Sequence, residues 1–381
     1  MASSSTTTVN LLDLAAASLA STIVASETIR HMANPSSNNE SERILNPRLK
    51  DDGTVVTDAD LAAQGVIFSA IRSVSSAVQI VGEESEDQMM DHGVTGHEAS
   101  TQQMYQLSRE EMRIRYQQTG EPSPLAPKKR EEDEEEGESS VTEEPETEIK
   151  VMDNCEVDCD RVVVFIDPLD GTKAYAKGDY APVSILIAII LDGNPCFGVI
   201  CKPFAGGKSQ QDSDNNLHLS SILDTPCVAI YGGTLLGAIY TAGEGRCVIP
   251  TTTELPRAVI SSSRSKGVVQ DFVELLASKG LIHSEALMVT GAGEKSLRII
   301  LRTQNEGLWF FPKPGTSLWD VAASDALLRA IGGKLTDKFG KDMDYSKSRT
   351  EAENVNGLIA CFDATLHEEC LRLYSAGTWD E

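Results

Sequence analysis

The chain has 381 residues, 40% of them hydrophobic, and a formal net charge of −25. That length holds one large domain or two ordinary ones with a sizeable core. The acidic balance excludes a general nucleic-acid or anionic-membrane surface, which needs basic patches. It leaves room for a small anionic substrate wherever a bound cation inverts the local field.

Residues 9–33 read as a helix. The stretch "LLDLAAASLASTIVA" carries Asp13 and has no basic segment before it, so it reads as a capped helix rather than a secretory signal. No apolar run reads as long enough to span a membrane. "DLAAQGVIFSAIRSV" (60–74) is a second helix, with Leu61, Val66, Ile67 and Ile71 near helical spacing. "VQIVGEES" is a short strand ending in a turn. Residues 86–155 then form a polar, Pro-containing insert. Residues 86–160 hold 22 acidic and 7 basic side chains, so they carry 15 of the 25 net negative charges. A segment like this buries too little apolar surface to offset its ordering entropy, and the insert is expected to be mostly disordered and dispensable for chemistry.

Order resumes with "RVVVFI", a strand that runs into "DPLDGTKAY". Two apolar runs joined around Asp192-Gly193-Asn194 read as a hairpin. In the second half, strands "AVISSSR" and "GLWFFPK" alternate with helices in "GVVQDFVELLASKG", "GAGEKSLRIILRT" and "SLWDVAASDALLRAIGG", the last with Ser317 as N-cap. That order implies α/β layering, with sheets covered by helices and a hairpin-rich first half. The eight cysteines include no CxxC pair, and the C-x3-C of Cys155 and Cys159 has no matching second pair. They read as reduced thiols rather than a zinc site.

Carboxylates collect where strands and helices end. Asp58 and Asp60 begin a helix, Glu83 and Glu84 end a strand, Asp167 and Asp170 end another, and Asp320 lies in the first turn of a helix. Singly, each has a structural explanation as a cap, a turn residue or a partner of a helix dipole. Asp167 and Asp170 together do not, because a turn needs only one such residue. Pro168 fixes the backbone there, Gly171 permits close approach to a ligand, and Thr172 adds a hydroxyl. Carboxylates, a carbonyl and a hydroxyl are the ligand types of Mg²⁺, and carboxylates held close repel one another unless a cation joins them. The D-x-x-D-G-T spacing departs from the D-x-D-x-T of phosphatases of the haloacid-dehalogenase type, whose first Asp is a covalent nucleophile.

"VGEES", "DPLDGT" and "WDVAASDALLRAIGG" resemble, in order, three signatures of the lithium-sensitive, magnesium-dependent inositol monophosphatase superfamily. The likeness spans roughly residues 9–85 and 161–375. It implies a layered αβαβα sandwich. An N-terminal α+β subdomain would cover 1–245, interrupted by the insert, and a C-terminal α/β subdomain 246–381. It also implies two or three Mg²⁺ ions on Glu83, Asp167, the Leu169 carbonyl, Asp170 and Asp320, with Glu84 beside them. "TDAD" places Asp60 to pair with Thr172 in activating the attacking water. Within the superfamily, "DPLDGTKAY" is similar to the DPLDGTKEY-type motif of the 3′(2′),5′-bisphosphate nucleotidases. Substrate contacts are then expected from Asp170, Gly171, Thr172 and Asp320, from Ser263 and Arg264 in "SSSRSKG", and from Gly291 and Lys295 in "GAGEKS". Lys266 stands where that branch commonly has His.

The expected reaction is removal of the 3′-phosphate of adenosine 3′,5′-bisphosphate to give AMP, with 3′-phosphoadenosine 5′-phosphosulfate as a second substrate. The alternatives are an inositol polyphosphate 1-phosphatase, and an acidic binding protein with an idle fold. The accompanying expectation is a cytoplasmic monomer or homodimer that acts on a small phosphorylated metabolite, without a nucleic acid polymer or a membrane as partner.

Overall fold

Two sheets divide the chain at about residue 250. The computed structural model describes residues 7–33, 46–50, 53–85, 98–119, 155–205 and 227–379. Strand β1 (Thr8–Asn10) leads into helix α1 (Leu11–Ala33). A small hairpin of β2 (Arg48–Leu49) and β3 (Val55–Val56) precedes helix α2 (Asp58–Val74) and strand β4 (Gln79–Gly82). Helix α3 (Glu98–Gln118) follows, then β5 (Glu156–Asp158), β6 (Val162–Asp170) and the one-turn helix α4 (Thr172–Tyr175). Strands β7 (Ser184–Leu191), β8 (Asn194–Lys202), β9 (Val228–Gly233), β10 (Ala238–Thr241) and β11 (Gly245–Arg246) complete the first half. The second half runs β12 (Arg257–Ser261), α5 (Val268–Ser278), β13 (Leu287–Val289), α6 (Ala292–Leu301), β14 (Glu306–Phe311) and α7 (Leu318–Ala330). It ends with β15 (Lys334–Thr336), β16 (Leu358–Cys361) and α8 (Ala364–Ala376).

The larger sheet has the order β11-β10-β9-β8-β7-β6-β4, and the smaller β13-β12-β14-β16-β15. In the larger one β4 runs parallel to β6, and β7 and β8 form the hairpin expected around Asp192-Gly193. Every residue of β7 is buried, because both faces of its sheet are covered. Ile185, Ile187 and Ile189 point to one side, into a core built with α1 and α2. Leu186, Ala188 and Ile190 point to the other side, into a core shared with α6, α7, Trp309 and Leu358. Leu308, Phe310 and Ile359 lie on the far face of the smaller sheet, packed against α5 and α8. The result is a helix–sheet–helix–sheet–helix sandwich, the layered α/β architecture the motifs imply. The middle helix layer joins the halves: α7 buries Val321, Ala322, Ala323, Ala326, Leu327 and Leu328 between the two sheets.

Two sequence expectations need correction. Helix α1 is, after all, long and apolar enough to cross a membrane, but 83% of its most apolar window is buried inside the protein, so here it is a core helix. The insert is not uniformly unstructured either. Residues 98–118 form α3, while 86–97 and 120–154 lie outside the described residues. Helix α3 lies against α1 with Met112 fully buried and Met104, Tyr105 and Tyr116 packed on the same core. Glu111 Oε1 accepts from the Tyr231 hydroxyl at 2.7 Å and from the Gly243 amide at 3.2 Å, and the Arg115 guanidinium lies 5.2 Å from the Tyr240 ring centre.

Deleting 90–150 is therefore expected to strip a covering helix from α1. Each large apolar side chain returned to water costs about 1.5–3 kcal/mol, so the loss should reach several kcal/mol. A deletion confined to 121–150 keeps α3, and a shorter connection costs little entropy. Thermal melts of the two deletions check this. Equal melting temperatures for the 90–150 deletion and the full chain would show that α3 adds nothing.

Candidate active site

The site begins with a defect in β6. Asp167 pairs with Leu186 and Asp170 with Ser184, so three steps along β6 match two along β7. In a regular strand, residues three apart face opposite sides. The extra residue is a β-bulge, and it turns Asp170 back to the side that Asp167 faces. Pro168, which has no N–H to give a ladder, sits inside the irregular stretch, where its loss is tolerated. The Leu169 amide donates to Asp167 Oδ1 at 3.0 Å, and Gly171 at φ 88 turns the chain into α4.

Two helix starts add the other carboxylates in the same manner. Thr57 caps α2 and Ser317 caps α7, and each forms a capping box with the residue three positions on. The Thr57 amide donates to Asp60 Oδ2 at 2.7 Å and the Ser317 amide to Asp320 Oδ2 at 2.6 Å. Each box fixes one oxygen and leaves the other for the site. Asp60 Oδ1 accepts from the Thr172 hydroxyl at 2.8 Å, which brings together the two residues expected to activate water. The same hydroxyl lies 2.9 Å from the Leu169 carbonyl.

Asp167, Asp170 and Asp320 offer oxygen atoms that all lie within 4.8 Å of one another. Burial, and then the charges of Glu83, Asp170 and Asp320, pushes Asp167 well above the usual carboxylate range. Burial and the neighbouring Asp170 push Asp320 in the same direction. Asp60 is pushed to about 7 by burial and then by Glu83, against the pull of its bonds from Thr57 and Thr172. Carboxylates so placed demand a cation. The donors are all hard oxygens from two chain segments, which suits a small divalent ion rather than a thiolate-seeking metal.

Glu83 and Glu84 turn toward Lys50 rather than joining the group of three. The Lys50 ammonium lies 2.8 Å from Glu83 Oε1 and 2.5 Å from Glu84 Oε1, and Glu84 Oε2 is buried without a hydrogen-bond partner. Burial opposes the Lys50 charge, but the two glutamates outweigh it and hold the ammonium's pKa above the usual value. Burial and Glu83 raise Glu84. Lys50 carried no sequence signal, because the ion pair spans 33 positions.

The "GAGEKS" turn closes on Asp170. Its Ala292 and Gly293 amides donate to Asp170 Oδ1 at 3.0 Å and Oδ2 at 2.8 Å. Ser184 adds a third bond to Oδ2 at 3.0 Å. A side chain at Gly293 would collide with the Ser184 hydroxyl, so only glycine lets this amide come so close. Lys295 is buried, donates to the Gly291 carbonyl at 2.6 Å, and lies 5.1 Å from the Trp309 ring centre. Burial pulls the Lys295 ammonium below its usual value, against the charges of Asp170 and Asp320, so it lies under the cluster rather than at the surface. Ser263 and Arg264 are exposed at the end of β12, and Arg264 donates to the Pro314 carbonyl at 2.8 Å.

Residues 125–373 match the inositol monophosphatase family. The chain belongs to that family. The match begins within the acidic insert and includes the β6 and α7 carboxylates, while Asp60, Glu83 and Glu84 lie before it. Among the family's curated members, the chain is 32% identical over 205 residues to 3′(2′),5′-bisphosphate nucleotidase 1 of Dictyostelium discoideum, covering 52% of this chain and 60% of the relative. It is 29% identical over 217 residues to inositol monophosphatase 3 of Danio rerio, covering 55% and 53%. The chain thus spans about 60% or less of the length of these two curated relatives. Its fold is similar to that of extragenic suppressor protein suhB from Bartonella henselae, with a TM-score of 0.53 over 95% of this chain and 98% of that one, at 15% identity. Family membership accounts for the layered sandwich and for a carboxylate cluster at the meeting of its two halves.

Proposed function

We propose that the chain is a Mg²⁺-dependent phosphomonoesterase that removes the 3′-phosphate of adenosine 3′,5′-bisphosphate to give AMP. The observation that carries this reading is the Asp167–Asp170–Asp320 cluster beside the Asp60–Thr172 pair. Asp167, Asp170, Asp320 and the Leu169 carbonyl would hold Mg²⁺, with Glu83 and Glu84 on the Lys50 side. The ions supply charge neutralisation for the phosphate and a more acidic water. The protein supplies the rest. Thr172 accepts a hydrogen bond from the attacking water and passes its own proton toward Asp60 Oδ1. Asp60 suits that role, since its pKa of about 7 lies near working pH. No phosphoenzyme forms. Ser263 and Arg264 would contact the leaving group, and Lys295 would lie behind the cluster.

The nucleotide is favoured by the likeness to the Dictyostelium nucleotidase, and an inositol phosphate by the likeness to the Danio inositol monophosphatase. Phosphate release from adenosine 3′,5′-bisphosphate, inositol 1,4-bisphosphate and inositol 1-phosphate, with Mg²⁺ and with Li⁺ as inhibitor, decides between them. The expected result is a kcat/KM at least about tenfold higher for the nucleotide, equivalent to ~1.4 kcal/mol of transition-state binding. A preference for inositol 1,4-bisphosphate moves the assignment to an inositol polyphosphate phosphatase. Release from none of them supports an idle fold with a binding role.

A further inference from the structure

Arg349 reaches across 266 positions of sequence to the Glu83–Glu84 turn. Its Nε and Nη2 donate to the Glu83 carbonyl at 3.1 and 2.7 Å. Both hydrogen bonds of one guanidinium edge thus close on a single backbone oxygen, next to a side chain expected to hold metal. The segment that carries Arg349 is fastened at both ends. Upstream, the buried Tyr345 hydroxyl donates to Asp325 Oδ2 in α7 at 3.0 Å. Downstream, the Asn354 amide donates to the Thr316 carbonyl at 2.8 Å, and its side-chain amide to Thr316 Oγ1 at 3.2 Å and to the Gly357 carbonyl at 2.9 Å. Between them, the Leu318 amide donates to the Ala352 carbonyl at 2.8 Å, and Ser317 bridges to Glu353. Residues 345–354 are therefore laid along the start of α7, the helix whose first turn presents Asp320.

We propose that Arg349 is a positioning residue for the metal site: it locks the Glu83 turn of the first half to the strap that holds Asp320 in the second. One strap then helps set the separation of two carboxylate-bearing segments that lie in different halves of the chain. The fork is suited to this task, because two N–H groups at fixed geometry define a carbonyl's direction as well as its distance, which a lysine ammonium cannot do. The inference rests on the reading of Glu83 and Asp320 as metal ligands.

The test is Mg²⁺ binding to the full chain, measured by titration calorimetry without substrate, for the wild type, Arg349→Ala and Arg349→Lys. Amide hydrogen exchange at residues 82–85 is followed in chelator. Partners that orient metal ligands are typically worth about 10–100-fold in affinity, and a loss of about tenfold or more is expected for Arg349→Ala. Arg349→Lys should recover little of it, and exchange at 82–85 should quicken in both variants. Arg349 is exposed, so melting temperatures should stay close to the wild type. If Arg349→Ala binds Mg²⁺ as tightly as the wild type, the positioning role is wrong while the metal site stands. If Arg349→Lys restores full affinity, charge rather than the fork is what matters, and the proposal also fails. A wild type that binds no Mg²⁺ overturns the metal reading and the proposal with it.

Discussion

The melting temperature in Mg²⁺ minus that in excess chelator is expected to grow as pH is raised from about 5 to about 8. The reason lies in carboxylates whose folded values sit above their unfolded ones. Asp60 moves from an ordinary 3.8 to about 7, and Asp167, Asp320 and Glu84 move in the same direction. Below the ordinary value, folded and unfolded chains both carry the proton, and nothing is lost. Between the two values the unfolded chain has released its proton and the folded chain has not. Each increment of pH then favours unfolding, until the penalty is complete above the folded value. For Asp60 alone this is on the order of 4 kcal/mol. A divalent ion among the carboxylates reverses the balance, since its charge favours their ionised forms. His367 works against the trend, being held near 4 by burial and so favouring folding as pH rises toward its ordinary 6.5. That contribution is common to both arms and cancels in the difference. A difference that is absent, or that does not change with pH, would count against the carboxylate cluster as a metal site.

Asp60→Asn is expected to lower kcat by about 10²–10⁴-fold while Mg²⁺ binding survives. The hydrogen bonds explain why the loss is chemical rather than structural. Asp60 accepts on both oxygens, Oδ2 from Thr57 and Oδ1 from Thr172. An asparagine can keep only one of these as an acceptor. The capping box takes its oxygen, and its NH₂ then points at the Thr172 hydroxyl. That hydroxyl must turn its proton to the Leu169 carbonyl, already within 2.9 Å, and it loses the route to a base. Thr172→Val should show a similar loss, and Thr172→Ser should keep most of the rate. Single-turnover kinetics with a parallel calorimetric titration check the split. Trapping a phosphoaspartate would replace this scheme with a covalent one.

The layered fold was legible because its strands and helices carry strong local patterns. "SILIAIIL", short, rich in isoleucine and followed by Asp192-Gly193, reads as a buried strand, and "SLWDVAASDALLRA" combines a cap with small residues that suit a helix between sheets. The pairing of Asp60 with Thr172 came from the family resemblance, since 112 positions separate them. What stayed hidden was either averaged away or distant. The acidic composition of 86–155 masked the i, i+4 spacing of Met104, Ser108, Met112 and Tyr116, the one local sign of α3. That Asp170 would occupy the amides of the "GAGEKS" turn, or that Arg349 would hold Glu83, depends on contacts between the two halves. No window along the chain contains both partners.

The irregularity in β6 makes the distance between two aspartates a matter of parity. An even number of pleats and one inserted residue together return Asp170 to the side of Asp167. With the bulge straightened out, the same three steps along β6 would send one carboxylate to the opposite side, whatever the chemistry of the side chains. The bulge is therefore as much a part of the site as the carboxylates it brings to one side.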